Sequence, residues 1–181
     1  MSDVVDPRKI SRLWISRRLG APHLGWLRAG SLMFPCSLGR NGIGHRKREG
    51  DGMTPAGRHR VSGGYVRPER ERLRYAGTDL RLTAASDGWC DDPRDANYNR
   101  PVRLPSRAGH ERMFRDDALY DLVLVLDWNG KPRVKGRGSA IFLHIMPTDG
   151  GPTAGCIALA GSDLRRLVPR LAPRCEVIVR G

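Results

Sequence analysis

Glycine (22) and proline (13) fill about a fifth of this 181-residue chain and are spread between short apolar runs, which rules out long helices. Residues of this kind between apolar segments mark turns and not disorder. The pattern predicts many short strands in one mainly β domain, large enough to bury a real core. Ser11–Arg18 and Gly25–Ser37 read as strands, the latter broken by a turn at Arg28-Ala29-Gly30-Ser31. Arg58–Val66, Leu80–Ala85, Tyr120–Trp128, Ser139–Ile145 and Cys175–Arg180 read as further strands. On Ser139–Ile145 the alternation places Ile141, Leu143 and Ile145 on one face, and Phe142 with His144 on the other.

Other segments carry turn or helix signals. Asp87–Arg100 is polar and turn-forming, Pro101–Pro105 extended, and Ala108–Phe114 a short helix. Arg67–Arg74 is read as holding a helical turn, and Gly39–Gly57 as a functional loop. Ser162 is the expected N-cap of a helix through Leu164, Leu167, Val168 and Leu171, ended or kinked by Pro169. Residues 1–20 read as a lead-in with a possible first strand, frayed over 1–8, and residues 21–181 as the functional domain.

The net charge is +13, and residues 1–60 hold 12 Lys+Arg against 4 acids. Such an excess favours an anionic partner such as nucleic acid, acidic lipid or a wall polymer, and also serves solubility. Nucleic-acid motifs are absent, so no nucleic-acid partner is expected. No metal is expected either, because Cys36, Cys90, Cys156 and Cys175 show no C-x-x-C spacing. They are free thiols or two disulfides. No apolar run suits a transmembrane span or a secretory signal.

Phe142-Leu143-His144-Ile145 is followed, after a Gly/Pro-rich loop, by Pro152-Thr153-Ala154-Gly155-Cys156-Ile157. A cysteine thiolate is a nucleophile, and a nearby histidine can take its proton. Gly155 permits close approach to the thiol, and the backbone N–H groups of Ala154, Gly155 and Cys156 are candidates for an oxyanion site. Equally, a cysteine and a histidine 12 positions apart fit a packed core. Trp89, Tyr98 and Tyr120 are candidate cleft walls, Lys131–Arg137 is a candidate contact for substrate carboxylates, and His45 and His59 read as surface loop residues.

His144 with Thr153-Ala154-Gly155-Cys156 resembles the signature of the YkuD-like L,D-transpeptidases, a histidine followed by Ser/Thr-x-Gly-Cys. Gly50-Asp51-Gly52-Met53-Thr54-Pro55-Ala56-Gly57 resembles the family's upstream Thr-Pro-x-Gly turn, and Asp163-Leu164 with Leu167 the helix after the nucleophile. Gly88-Trp89-Cys90-Asp91-Asp92-Pro93, Tyr98-Asn99, His110-Glu111 and Tyr120-Asp121 resemble a compact bacterial branch. The resemblance spans about residues 25–180. It implies a YkuD-like β-sandwich or open barrel with a short helix after the nucleophile. It makes Cys156 the nucleophile, His144 the base, the Ile145 carbonyl the group that orients the ring, and Thr153 the Ser/Thr of the motif. Ile145, Thr153, Tyr120 and Trp89 are thus expected around the substrate.

The implied activity is peptidoglycan 3→3 cross-linking through a Cys thioester with a tetrapeptide stem, in the service of wall biogenesis and cell shape. No cofactor is implied, the partners are stem peptides, and carbapenem-type inhibitors are expected to acylate the same thiol. An L,D-carboxypeptidase, a D-amino-acid exchange enzyme and a non-catalytic basic wall-binding module are the alternatives. The family implies the periplasm or cell envelope, while the absent signal leaves the cytoplasm open. Two positions depart from the family pattern: Ala154 where a histidine is frequent, and Ala158 where an arginine is frequent.

Overall fold

The computed structural model describes residues 9–71 and 79–181. The expected fraying over 1–8 and the end of the Arg67–Arg74 stretch lie outside the described residues. The strands are β1 (Ile10–Arg17), β2 (Leu24–Ala29), β3 (Leu32–Ser37), β4 (Ile43–Gly44), β5 (Thr54–Pro55), β6 (Gly57–Val66) and β7 (Leu80–Leu82). They continue as β8 (Asp87–Cys90), β9 (Arg100–Arg103), β10 (His110–Arg112), β11 (Leu122–Leu126), β12 (Phe142–Ile145), β13 (Ile157–Leu159) and β14 (Leu171–Arg180). One helix, α1 (Gly161–Leu167), follows β13 and passes into a 3₁₀ turn at Val168–Arg170.

Nine strands form one sheet in the order β11-β12-β13-β3-β2-β1-β14-β6-β7. A further antiparallel pairing of β11 with β6 closes it into a barrel-like layer, so the fold is mainly β. Strand β1 is integral to that sheet, parallel to β14 and antiparallel to β2. Inside lie Leu13, Ile15, Leu27, Phe34, Leu124, Leu143, Ile157, Leu159 and Val177, joined by Leu164 and Leu167 of α1.

A second sheet, β10-β8-β9, lies beside the outer face of β11 and β12. There Trp89 and Met113 pack with Tyr120, Val123, Val125, Ala140, Phe142 and Cys156. This two-sided burial explains the continuous apolar run of β11. Leu122, Leu124 and Leu126 enter the barrel, while Val123 and Val125 face the second cluster. The alternation read on β12 holds, with Ile141, Leu143 and Ile145 in the barrel and Phe142 outside.

Four expectations are corrected. Asp87–Cys90 is a buried strand, β8, and only the residues after it make turns. Ala108–Phe114 contains strand β10, not a helix, because His110–Arg112 pairs with Cys90–Gly88; three residues of ladder outweigh a weak local helical preference. The helix cap is Ala160, without a side-chain cap bond, and not Ser162. His59 is also not a surface loop residue: it is buried on β6, with Nε2 against the Pro55 carbonyl and its ring edge-on to Trp128.

Leu124 is fully buried in the barrel, whereas Leu82 on the edge strand β7 is 66% exposed. Leu124→Ala is expected to cost about 3 kcal/mol and Leu82→Ala less than about 0.5 kcal/mol in urea unfolding followed by tryptophan fluorescence.

Candidate active site

Strands β12 and β13 run parallel with Leu143 opposite Ile157, His144 opposite Ala158 and Ile145 opposite Leu159. Ile157 and Leu159 point into the barrel, so Ala158 shares the outer face with His144 and Phe142. Continuing that register back by one residue puts Cys156 beside Phe142. Cysteine and histidine therefore lie on one face of adjacent strands, offset by two residues, or roughly 6.6 Å along the strand.

The turn leading into Cys156 is built by two threonines. Thr153 Oγ1 donates to the Cys156 carbonyl at 2.7 Å and accepts from Gly155 N–H at 3.1 Å. Thr54 Oγ1 accepts from Gly39 N–H at 2.8 Å and donates to the same Cys156 carbonyl at 3.4 Å. Gly155 has φ +146°, and a Cβ there would stand 2.8 Å from the Met53 carbonyl oxygen. Only glycine fits this place. The Gly39–Gly57 stretch thus has a definite task, for it forms the floor beneath the nucleophile turn.

Lys47 belongs to that floor. Its side chain is 3% exposed, its ammonium pairs with Asp51 at 2.5 Å, and it also donates to the Arg48 carbonyl. Of the groups around Cys156 it is the cation that favours the thiolate.

His144 is buried, and its Nδ1–H donates to the Ile145 carbonyl at 2.7 Å. A carbonyl can only accept, so the proton sits on Nδ1 and Nε2 is left as the basic nitrogen. Burial pushes the imidazolium pKa down to about 4, against the opposing pull of the Ile145 carbonyl. The ring stands edge-on to Tyr120, 5.3 Å between centroids. Tyr120 OH donates to Glu111, and Arg115 lies over the Tyr120 ring at 5.1 Å.

Cys156 is 7% exposed, and burial, reinforced by the Glu111 carboxylate, raises its thiol pKa well above the usual range. Phe142 N–H and Lys47 act in the opposite direction. Sγ donates to the Ala140 carbonyl at 3.1 Å and accepts from Phe142 N–H at 3.3 Å. Among the described residues no hydrogen bond joins it to His144. In this state both groups are neutral at pH 7, a thiol beside an imidazole.

The remaining candidate residues divide clearly. Trp89 and Tyr120 both stack edge-on against Phe142, at 5.3 and 5.8 Å, and form the aromatic wall of the site. Ala154 is exposed at the tip of the turn. The Gly155 N–H and the Thr153 hydroxyl are engaged with each other, and the Ile145 carbonyl with His144. Arg133 and Lys135 of the basic loop bond the carbonyls of Tyr98 and Arg94. All four cysteines are buried and free. A charged cavity of about 590 Å³, lined by His110, Glu111, Arg115 and Asp117, adjoins the Tyr120–Glu111 pair. Lys47, Glu111 and Asn99 are site components to which the sequence alone assigned no role; the Glu and Asn stand out only by lying in the quoted motif set.

The arrangement is that of a cysteine-centred β domain in which neighbouring strands present a thiol and an oriented imidazole. A family model described as the L,D-transpeptidase catalytic domain, YkuD, matches residues 14–179, nearly the whole chain, and the chain belongs to that family. No curated protein and no solved structure gives a significant match. The family's domain is cysteine-dependent, related to peptidoglycan and typically associated with the cell envelope. Among the described residues no helix is long and apolar enough to cross a membrane.

Because the turn admits no side chain at 155, Gly155→Ala is expected to lower stability by about 2 kcal/mol, read as a reduced urea midpoint at unchanged m-value.

Proposed function

We propose that this chain is a peptidoglycan L,D-transpeptidase that carries its acyl group on Cys156 and uses His144 as the base. The observation that carries the reading is the pairing of β12 with β13, which sets both side chains on one outer face while the Ile145 carbonyl fixes the tautomer with Nε2 free.

In the first half-reaction Nε2 takes the thiol proton and Sγ attacks the carbonyl after the third residue of a tetrapeptide stem. That attack forms the S–C bond of a tetrahedral intermediate, and as the intermediate collapses the C–N bond to the terminal D-alanine breaks. His144 returns its proton to that leaving amine. In the second half-reaction the amine of a neighbouring stem attacks the thioester, His144 removes the proton it sheds, and the S–C bond breaks. Cys156 recovers its proton and a 3→3 cross-link is left. Water in place of the amine would give the carboxypeptidase, and a free D-amino acid the exchange reaction, through the same acyl-enzyme.

Both groups are neutral at rest. An imidazole held at about 4 stays unprotonated throughout the neutral range but is a weak base for a thiol raised by burial, so the transfer needs the attack on the acyl carbonyl to drive it. The buried thiol has little thiolate at rest, so proton transfer is coupled to attack and the site is protected from indiscriminate oxidation. The Ala154 and Cys156 amides are the remaining candidates for the oxyanion; Gly155 N–H can join them by giving up Thr153 Oγ1.

Incubation with a carbapenem followed by intact-protein mass spectrometry is expected to give one covalent adduct, absent in Cys156→Ala. A folded protein without an adduct would sink the reading. Muropeptide analysis with a purified tetrapeptide should then yield dimers; tripeptides or exchanged stems would assign water or a D-amino acid as acceptor. His144→Ala is expected to slow acylation by at least about 100-fold with the fold intact by circular dichroism.

The pH dependence follows from the depressed imidazolium. A base with a pKa near 4 loses competence only as pH falls toward 4, and not through 6.5. The acid limb of the acylation rate should therefore lie below pH 5.5, checked by stopped-flow or quenched acylation between pH 4 and 9. Because the folded pKa is below the unfolded one, this histidine's contribution to stability is full above 6.5 and declines as pH falls toward 4.

A further inference from the structure

Asn99 is buried beneath the aromatic wall, and every hydrogen-bonding position of its amide is used. Oδ1 accepts from Trp89 Nε1 and from Ala140 N–H, each at 3.1 Å. Nδ2 donates to the carbonyls of Trp128 at 2.9 Å and Asn129 at 3.1 Å. Two donors and two acceptors are the whole capacity of this side chain. Asn99 itself is left-handed, φ 54°, a conformation asparagine tolerates better than most residues.

Its partner Ala140 is left-handed as well, φ 51°, although it is neither glycine nor asparagine. That conformation is unfavourable for an alanine, and an alanine side chain offers nothing to offset it. In that conformation the Ala140 N–H is bound by Asn99 Oδ1. The carbonyl of this same Ala140 receives the Cys156 thiol at 3.1 Å. One chain of contacts therefore runs from the Asn99 amide through a strained alanine to the nucleophile.

We propose that Asn99 is a positioning residue for Cys156: it fixes the Ala140 carbonyl as a dock that holds the thiol in its neutral form. A carbonyl oxygen accepts a hydrogen bond only while sulfur keeps its proton. Once His144 takes that proton, thiolate and carbonyl oxygen repel, and the sulfur leaves the dock while retaining Phe142 N–H, a donor that serves the anion. Proton transfer and movement toward the acyl group then become one event. The role of His144 in this sequence rests on the transpeptidase reading; the dock itself does not.

The test reads the thiol directly. Alkylation of Cys156 by iodoacetamide at pH 8, mapped to its peptide by mass spectrometry, is followed in the parent chain, Asn99→Gly and Asn99→Asp, beside the melting temperature of each. Glycine accepts the left-handed backbone but removes the amide, and alkylation should rise at least about fivefold, the worth of one lost hydrogen bond. Aspartate keeps the Oδ1 acceptor for Ala140 while facing two carbonyls with a carboxylate. It should lose as much thermal stability as glycine or more, yet alkylate within about twofold of the parent.

Leu164→Ala, which loosens the inner barrel cluster and not the outer cluster that holds the thiol, should melt lower with the parent's alkylation rate. Should Asn99→Gly not fold, Asn99→Ser takes its place with the same expectation of acceleration. Alkylation that rises with loss of stability across all variants, or an Asn99→Gly rate equal to the parent's, overturns the dock. A missing carbapenem adduct would overturn the transpeptidase reading and leave this measurement intact.

Discussion

The closure of the sheet by β11 against β6 is the constraint on which the rest of the molecule depends. It requires two backbones to come within contact at Gly64, where a Cβ would sit 2.2 Å from the Val123 carbonyl oxygen and 2.4 Å from Leu80 Cδ2. With glycine there the ladder runs from Val66–Leu122 to Gly63–Val125, then slips by a bulge before Val61 meets Leu126. Closure gives β11 an inner leucine face and an outer valine face, and the outer one needs cover. The β8–β9–β10 sheet supplies it, and the seam between the two layers contains Cys156, Phe142 and Tyr120. The Cys156 thiol is thus placed in the outer seam, while the barrel interior is lined by aliphatic side chains, Phe34 and the free thiols of Cys36 and Cys175.

That placement decides the electrostatics. In a seam shielded from water, a thiolate or an imidazolium is costly unless a partner is close, and both equilibria move toward the neutral forms. The surroundings are not uniformly hostile to charge. Lys47 under the nucleophile turn and Phe142 N–H favour the thiolate, while Glu111 opposes it. Glu111 is itself raised by burial and receives the Tyr120 hydroxyl, so the wall beside His144 carries a carboxyl group whose own ionisation is disfavoured. Small changes of charge or solvent access in this seam, such as a bound substrate brings, act on groups already held away from their ordinary equilibria.

Much of this is legible in the sequence. The alternation on Ser139–Ile145 places His144 on the outer face with Phe142, and the glycine before Cys156 marks a turn where backbone must approach closely. Strand ends were readable from Gly, Pro and apolar alternation, because those signals are local. What was not legible is what depends on partners distant in sequence. Strand β10 exists because Cys90 and Trp89 offer it a ladder, and His59 is buried because β14 and Trp128 cover it. Lys47 and Asp51 look like loop charges until the fold carries them under Gly155, 108 positions from Lys47. Thr153 reads as a substrate contact from its motif, yet its hydroxyl is occupied by the turn it closes.

The two alanines that depart from the family pattern have different physical consequences. Ala154 is exposed at the turn tip, where a longer side chain would stand in solvent above the thiol and where nothing in the packing prescribes its size. Ala158 is fully buried and directly opposite His144 in the β12–β13 register. An arginine there would need its charge desolvated against an imidazole that burial already keeps neutral, and would crowd the ring away from Tyr120. With alanine, the ring keeps its edge-on contact and its Nδ1 bond, and the cationic influence on the thiol comes instead from Lys47, beneath the turn and paired with Asp51. The site thus keeps Lys47 behind the nucleophile, while Arg115 and Asp117 beside the base act on its imidazolium in opposite directions and burial decides for the neutral form.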